Sequence, residues 1–223
     1  MHRALIVFVK EPRPGAVKSR LAARIGAEAA AALYRAIADE EIRCTAPRGD
    51  EYERLFFFDP PAARAAMAAW LPGESLFPQP PGDLGQRMSA AFAEAFRLGA
   101  RRVAIIGTDV PWAAREDVLD ALEGLDEHDL VIGPATDGGY YLLALKRLEP
   151  GLFLDVPWST PGVLAATLDR AAALSLGVRT LRTLGDLDTA EDVAADWRRL
   201  APLLPAALRA ELAALLRPTS SSS

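Results

Sequence analysis

The 223-residue chain is 51% hydrophobic and 25% charged, which suits one ordinary globular domain and excludes general disorder. Its 30 acidic residues against 25 Lys and Arg give a net charge of -5, so no overall basic footprint exists for nucleic acid or an anionic membrane, although a local basic pocket is allowed. One cysteine (Cys44) and two distant histidines (His2, His128) exclude an internal disulfide and leave little for a zinc centre, so a bound metal would need oxygen ligands.

Ala4-Leu5-Ile6-Val7-Phe8-Val9 is a continuous apolar run, the pattern of a strand buried on both faces of a parallel sheet. It is too short for a signal peptide or a membrane span, so a cytoplasmic location is expected. Helical spacing over 27–43 leads to a strand at 55–58, helices at 62–70 and 84–98, a strand at 103–106, a helix at 115–125 and a strand at 129–132. Alternation of this kind implies a mostly parallel sheet with helices on both sides and ligands at the carboxyl ends of the strands. The turn 133–139 is too short for a crossover helix, so the run 140–145 is expected to lie antiparallel or to enter the sheet from another direction. A helix over 160–176, a strand over 178–184, a helix over 189–200 capped by Asp188 or Thr189, and a helix over 205–216 complete a single domain of residues 1–217. Residues 218–223 read as a disordered tail.

Lysine occurs at positions 10, 18 and 146 alone, and two of the three fall in Lys10-Glu11-Pro12-Arg13-Pro14-Gly15-Ala16-Val17-Lys18-Ser19-Arg20-Leu21. Two prolines stiffen this loop, which precedes an expected helix start; fixed cations beside helix N–H groups favour phosphate, although a solvated basic turn has the same composition. Neither the P-loop nor the Gly-x-Gly-x-x-Gly spacing is present. Three further strand-end segments carry carboxylates. Gly107-Thr108-Asp109-Val110-Pro111 would project Asp109 into the crevice, and also suits an ordinary Asx turn or helix cap. Gly133-Pro134-Ala135-Thr136-Asp137-Gly138-Gly139-Tyr140 permits close backbone approach to a ligand and also suits a plain hairpin turn. Gly185-Asp186-Leu187-Asp188 alternates two acids in strand spacing, one a candidate cap and the other a candidate ligand. A hard cation such as Mg²⁺ takes one or two carboxylates with water and phosphate, which Asp109 with Asp186 or Asp188 would supply.

Weaker signals are Gly82-Asp83-Leu84-Gly85-Gln86-Arg87-Met88 at a helix start and Pro157-Trp158-Ser159-Thr160-Pro161 at a loop–helix junction. The first suits a base, sugar or phosphate, or only a capped helix. The second suits stacking on a sugar or acceptor, or a structural Trp with a Thr cap. Asp59 reads as turn chemistry, and no Ser/His/Asp arrangement is supported.

These segments together, in the same order from about residue 4 to 200, resemble the bacterial DUF2064 family, described as radical-SAM/selenodomain-associated transferases or arsenosugar-biosynthesis glycosyltransferases. The resemblance implies the GT-A (nucleotide-diphospho-sugar transferase) fold, with a Rossmann-like, mostly parallel mixed sheet flanked by helices. It implies a nucleotide-sugar or NTP donor, a small-molecule acceptor, Mg²⁺ or Mn²⁺, and an association with radical-SAM pathway enzymes. Transferred to this chain, Asp109, Lys18 and Asp137 are the expected catalytic residues. Lys10, Pro12, Gly15, Lys18, Arg20, Gln86 and Arg87 are expected at the nucleotide and its phosphates. Asp137, Gly138, Gly139, Tyr140, Trp158, Ser159 and Thr160 are expected at the acceptor, and Asp109, Asp186 and Asp188 at the metal. The Asp-x-Asp motif of many GT-A glycosyltransferases is absent after the third expected strand, and Ala16-Val17-Lys18-Ser19-Arg20-Leu21 is similar to the loop of 2-phospho-lactate guanylyltransferases. Glycosyl transfer is therefore expected, with nucleotidyl transfer and a non-catalytic nucleotide-binding scaffold as alternatives.

Overall fold

The computed structural model describes residues 2–216, and the expected tail at 218–223 lies outside them. Strand β1 (Arg3–Lys10) is apolar from Ala4 to Val9 because it is covered on both edges and both faces. It pairs in parallel with β2 (Glu53–Asp59), Val7 opposite Phe56, and with β4 (Arg102–Ile106), Val7 opposite Ile106. The short β3 (Ser75–Pro78) extends the sheet beyond β2. On the other side stand β6 (Tyr140–Leu145), β5 (Leu130–Pro134) and β7 (Val178–Thr180), completing the order β3-β2-β1-β4-β6-β5-β7. Within this seven-stranded sheet β6 alone runs antiparallel to its neighbours, the first of the two placements that the short 133–139 turn left open.

Alternate residues of each strand serve two separate cores. Leu5, Val7, Phe56, Phe58, Ala104 and Ile106 face α3 (Arg64–Trp70) and α5 (Arg115–Gly124). Ala4, Ile6, Leu55, Phe57, Val103 and Ile105 face α4 (Leu84–Arg97) and α6 (Val163–Ala173). Fully burying one such side chain stabilises the fold by roughly 1.5–3 kcal/mol relative to exposing it. A third core joins α1 (Ser19–Ile25) and α2 (Ala27–Cys44) to α7 (Ala190–Ala195), α8 (Trp197–Leu200) and α9 (Ala206–Leu215) through Leu33, Ile37, Val193 and Leu212. No described helix is long and apolar enough to cross a membrane.

Several expected boundaries move. Ser19, Arg20 and Leu21 belong to α1 instead of the preceding loop, and β3, which has no fully buried residue, lacks the apolar pattern that reveals a strand. The helix expected over 62–70 opens as a 3-10 turn at Pro61–Ala63, because proline starts a helix but cannot continue one. The helix expected from 160 begins at Val163, after Pro161-Gly162. The strand expected over 178–184 ends at Thr180, leaving one isolated bridge between Leu184 and Ala135. The helix expected over 189–200 is split at Asp196.

Candidate functional site

The loop after β1 delivers Lys18 to the carboxyl ends of the strands. Lys18 is the N-cap of α1 in left-handed backbone geometry (φ 49°, ψ 49°), which costs a non-glycine residue about 1–2 kcal/mol. Its side chain is only 3% exposed, with Nζ 2.5 Å from Asp109 Oδ1 and 3.5 Å from Asp188 Oδ1. The more exposed Arg20 guanidinium lies 3.5 Å from Asp188 Oδ2. Burial alone would lower the Lys18 pKa, but the charge and hydrogen bond of Asp109, with Asp188 and Asp186 behind them, outweigh it and raise the pKa, so Lys18 is an ammonium at neutral pH.

Asp109 sits in the turn between β4 and α5, and its neighbours are anchored from α2. The Lys10 N–H donates to Tyr34 Oη at 2.8 Å, Tyr34 Oη lies 2.9 Å from Thr108 Oγ1, and Thr108 Oγ1 donates to the Phe8 carbonyl at 3.2 Å. On the other side of Asp109, the Val110 N–H donates to Glu41 Oε2 at 2.9 Å. Glu41 is 1% exposed, and its burial pushes the carboxyl well above the usual range. The Leu187 N–H donates to the Asp109 carbonyl at 3.2 Å, and Arg182 grips Asp117 with two hydrogen bonds of 2.7 Å, tying α5 to the segment that carries Asp186 and Asp188. Tyr34 and Glu41 were not read from the sequence as site residues. Their signal is two polar residues, seven apart, on the buried face of α2 that also carries Leu33, Ile37 and Ala38.

The expected acceptor residues gather on a second surface. The Gly139 N–H donates to Asp137 Oδ1 at 2.8 Å, leaving the Asp137 side chain in solvent. The Thr136 N–H donates to the Leu184 carbonyl, which places this turn beside the 185–188 segment. Burial first, and then the charge of Asp137, raises the Asp186 carboxyl, so the two acids are neighbours. The start of α6, directly after the 157–162 loop, docks on the same turn through a Leu164 N–H to Gly138 carbonyl bond of 2.9 Å. Gly138 has φ 89°, and a Cβ there would overlap the Pro161 carbonyl oxygen, so glycine is required for the two loops to meet. The Ser159 side chain is exposed, and Thr160 Oγ1 donates to the Pro157 carbonyl at 2.7 Å. Trp158 lies on the start of α4; a Cβ on Gly85 would come within 2.5 Å of its indole. Tyr140 is partly buried, its hydroxyl 4.0 Å from Met88 Sδ and its ring packed against the core.

On the donor side the expected residues divide. Lys10 has an exposed side chain, Pro12 is half-buried, and Gly15 is an exposed turn residue at φ 78°. Gln86 is engaged in a capping box, its Oε1 accepting the Asp83 N–H at 3.0 Å while its own N–H donates to Asp83 Oδ1 at 2.8 Å. Arg87 donates to the Gly82 carbonyl at 2.9 Å and approaches Asp59 at 3.6 Å. Asp59, read as turn chemistry, also supplies the carbonyl that accepts the Glu11 N–H. Thr189, and not Asp188, caps α7 in a reciprocal pair with Asp192. Residues 185–188 are not strand, so Asp186 and Asp188 reach the site from a loop.

The family model described as "Uncharacterized protein conserved in bacteria (DUF2064)" matches residues 43–160. The chain belongs to this family. The match takes in Gln86, Asp109, Asp137 and Trp158, while Lys18 and Asp188 lie outside it. A solved structure from Desulfovibrio desulfuricans G20, named a "putative nucleotide-diphospho-sugar transferase", is 32% identical over 97% of this chain and 98% of that one, with a TM-score of 0.85. A CMP:2-keto-3-deoxy-manno-octonic acid synthetase complexed with CTP covers 92% of this chain and 100% of its own at 14% identity and a TM-score of 0.56. Rv0371c from Mycobacterium tuberculosis H37Rv, in complex with manganese, covers 90% and 98% at 16% identity and a TM-score of 0.54. The latter two share the fold alone. No curated protein matches the chain. The sheet order and these likenesses establish the GT-A, nucleotide-diphospho-sugar transferase type of fold.

Proposed function

We propose that this DUF2064 protein is a nucleotide-dependent transferase that moves a sugar from a nucleotide-diphospho-sugar to a small acceptor. The observation that carries the reading is the enclosed Lys18 ammonium between Asp109 and Asp188, with Arg20 beside it, at the carboxyl ends of β1 and β4. Lys18 and Arg20 face the donor diphosphate, and Asp137 and Trp158 face the acceptor. The acceptor hydroxyl gives its proton to Asp137 as its oxygen bonds to the anomeric carbon. The bond from that carbon to the β-phosphate oxygen breaks, and the electron pair leaves with the nucleoside diphosphate, whose added charge Lys18 and Arg20 stabilise.

Two cations among three carboxylates do not by themselves attract a diphosphate, which favours a divalent cation as part of the donor complex. Among the described residues no group of three or more His, Cys, Asp or Glu side chains is gathered to hold an ion, so the expected set of Asp109, Asp186 and Asp188 is not assembled as one cage. Asp109 and Asp188, which share one ammonium, fit the sparser hard-oxygen pattern of one or two carboxylates completed by water and substrate phosphate. When bound there, Mg²⁺ or Mn²⁺ would neutralise charge on the leaving diphosphate.

Nucleotidyl transfer is the second reading, favoured by the Lys18-Ser19-Arg20 segment at the start of α1, whose cations would serve a displaced pyrophosphate equally well. Thermal stabilisation with UDP- and GDP-sugars and with NTPs, each with and without Mg²⁺ or Mn²⁺, separates the two. Metal-dependent stabilisation by sugar nucleotides without a response to NTPs is expected. Stabilisation by NTPs, with pyrophosphate released when a phosphorylated acceptor is added, would replace the glycosyl reading. No response to either class would refute both.

A further inference from the structure

α2 presents two polar side chains on its buried face, Tyr34 and Glu41, two helical turns apart and therefore in line. Both reach the same turn. Tyr34 Oη meets Thr108 Oγ1 at 2.9 Å, and Glu41 Oε2 accepts the Val110 N–H at 2.9 Å, so the residues on either side of Asp109 are each held by α2. We propose that Glu41 is a positioning residue for the donor site, holding the Asp109 turn from beneath so that the Asp109 carboxylate stays against Lys18. The inference rests on the donor reading given above.

Among the described residues no salt bridge involves Glu41; the charge of Asp109 opposes its ionisation, and that of Lys18 favours it. A buried carboxyl without an ion-pair partner is a costly way to fill space, since an apolar side chain at the same point of α2 would pack without a desolvation cost. What an apolar residue would lack is an acceptor for the Val110 N–H. The Tyr34 hydroxyl repeats the pattern, satisfying Lys10 N–H at the end of β1 while it meets Thr108. The two residues thereby couple the start of the Lys18 loop to the Asp109 turn. Both are buried behind the Asp109 turn, and each acts through the groups it holds.

Glu41→Gln keeps an acceptor for Val110, and Glu41→Leu removes it. The full chain of each variant is compared by amide hydrogen exchange at residues 107–111 and by calorimetric titration with UDP, GDP and CDP in Mn²⁺. In folded Glu41→Leu, exchange at Val110 should accelerate at least tenfold and affinity for the nucleotide that the wild type binds should fall about tenfold, while Glu41→Gln stays within twofold on both. Unchanged exchange in Glu41→Leu, or faster exchange with wild-type affinity, would overturn the proposal. If Glu41→Leu does not fold, Tyr34→Phe gives the same test at Thr108, with at least threefold weaker nucleotide binding expected and wild-type binding refuting it. If the wild type binds none of these nucleotides, the donor reading fails, and the hydrogen exchange still decides whether Glu41 holds the turn.

Discussion

Replacing Lys18 by Met keeps most of the apolar stem and removes the ammonium, with its charge and its hydrogen bonds. If Asp109 and Asp188 were as enclosed as Lys18, stranding them would cost about 3–5 kcal/mol, the usual penalty for breaking a buried ion pair. Their side chains are 52% and 37% exposed, so water reaches both, and the loss falls to that of a charge-assisted hydrogen bond, about 1–2 kcal/mol. The left-handed backbone at position 18 is unaffected, since methionine is strained there as lysine is. For a chain of this size that corresponds to a Tm lower by roughly 2–8 °C. Donor binding should suffer more, because one charged contact to phosphate is worth about 1.5–3 kcal/mol, or roughly 10- to 150-fold in Kd. Differential scanning calorimetry and titration with the metal-bound donor measure the two effects separately. Donor affinity within twofold of wild type in a folded Lys18→Met protein would show that the lysine only supports the loop.

Asp109→Asn retains the turn but loses a charge, and metal-dependent nucleotide stabilisation should disappear from the thermal shift; its persistence would rule Asp109 out as the metal ligand. Gly138→Ala combines a strained φ of 89° with overlap on the Pro161 carbonyl, about 2–4 kcal/mol together, so Tm should drop by roughly 4–16 °C. Gly15→Ala, at φ 78° but in open space, should cost only about 1–2 kcal/mol; equal losses in the two variants would contradict the loop-docking geometry. Because burial raises the Glu41 carboxyl in the folded state, its contribution to stability is complete below about pH 4.5 and is lost as pH rises through the raised folded value. Urea unfolding should therefore show Glu41→Gln gaining on wild type between pH 4.5 and pH 8, and a constant difference would mean that Glu41 is not held in its neutral form.

Much of the architecture was legible in the chain. The run from Ala4 to Val9 is apolar at every position because both faces of its sheet are covered, and the turn at 133–139 is too short for a crossover helix, which left an antiparallel return, the one found, or entry from another direction. Edges were less legible, because β3 has no fully buried residue to set a pattern and because Pro161-Gly162 and Asp196 interrupt helices whose apolar spacing continues past them. The site divides in the same way. Lys18, Asp109 and Asp188 could be picked out as a cation and two acids at strand ends, since unusual residues after buried strands stand out along one dimension.

By itself the sequence determined an acidic α/β chain with one cationic loop and few side chains other than carboxylates to offer a metal, because these follow from composition, periodicity and local turn chemistry. Tertiary structure alone decided that Lys18 is enclosed by residues 91 and 170 positions away, that Tyr140 packs against the core while Asp137 stays in solvent, and that Tyr34 and Glu41 hold the turn around Asp109. The physical reason is that burial, and with it the strength of a charge or hydrogen bond, is set by which distant segments pack together, and residue order does not state that.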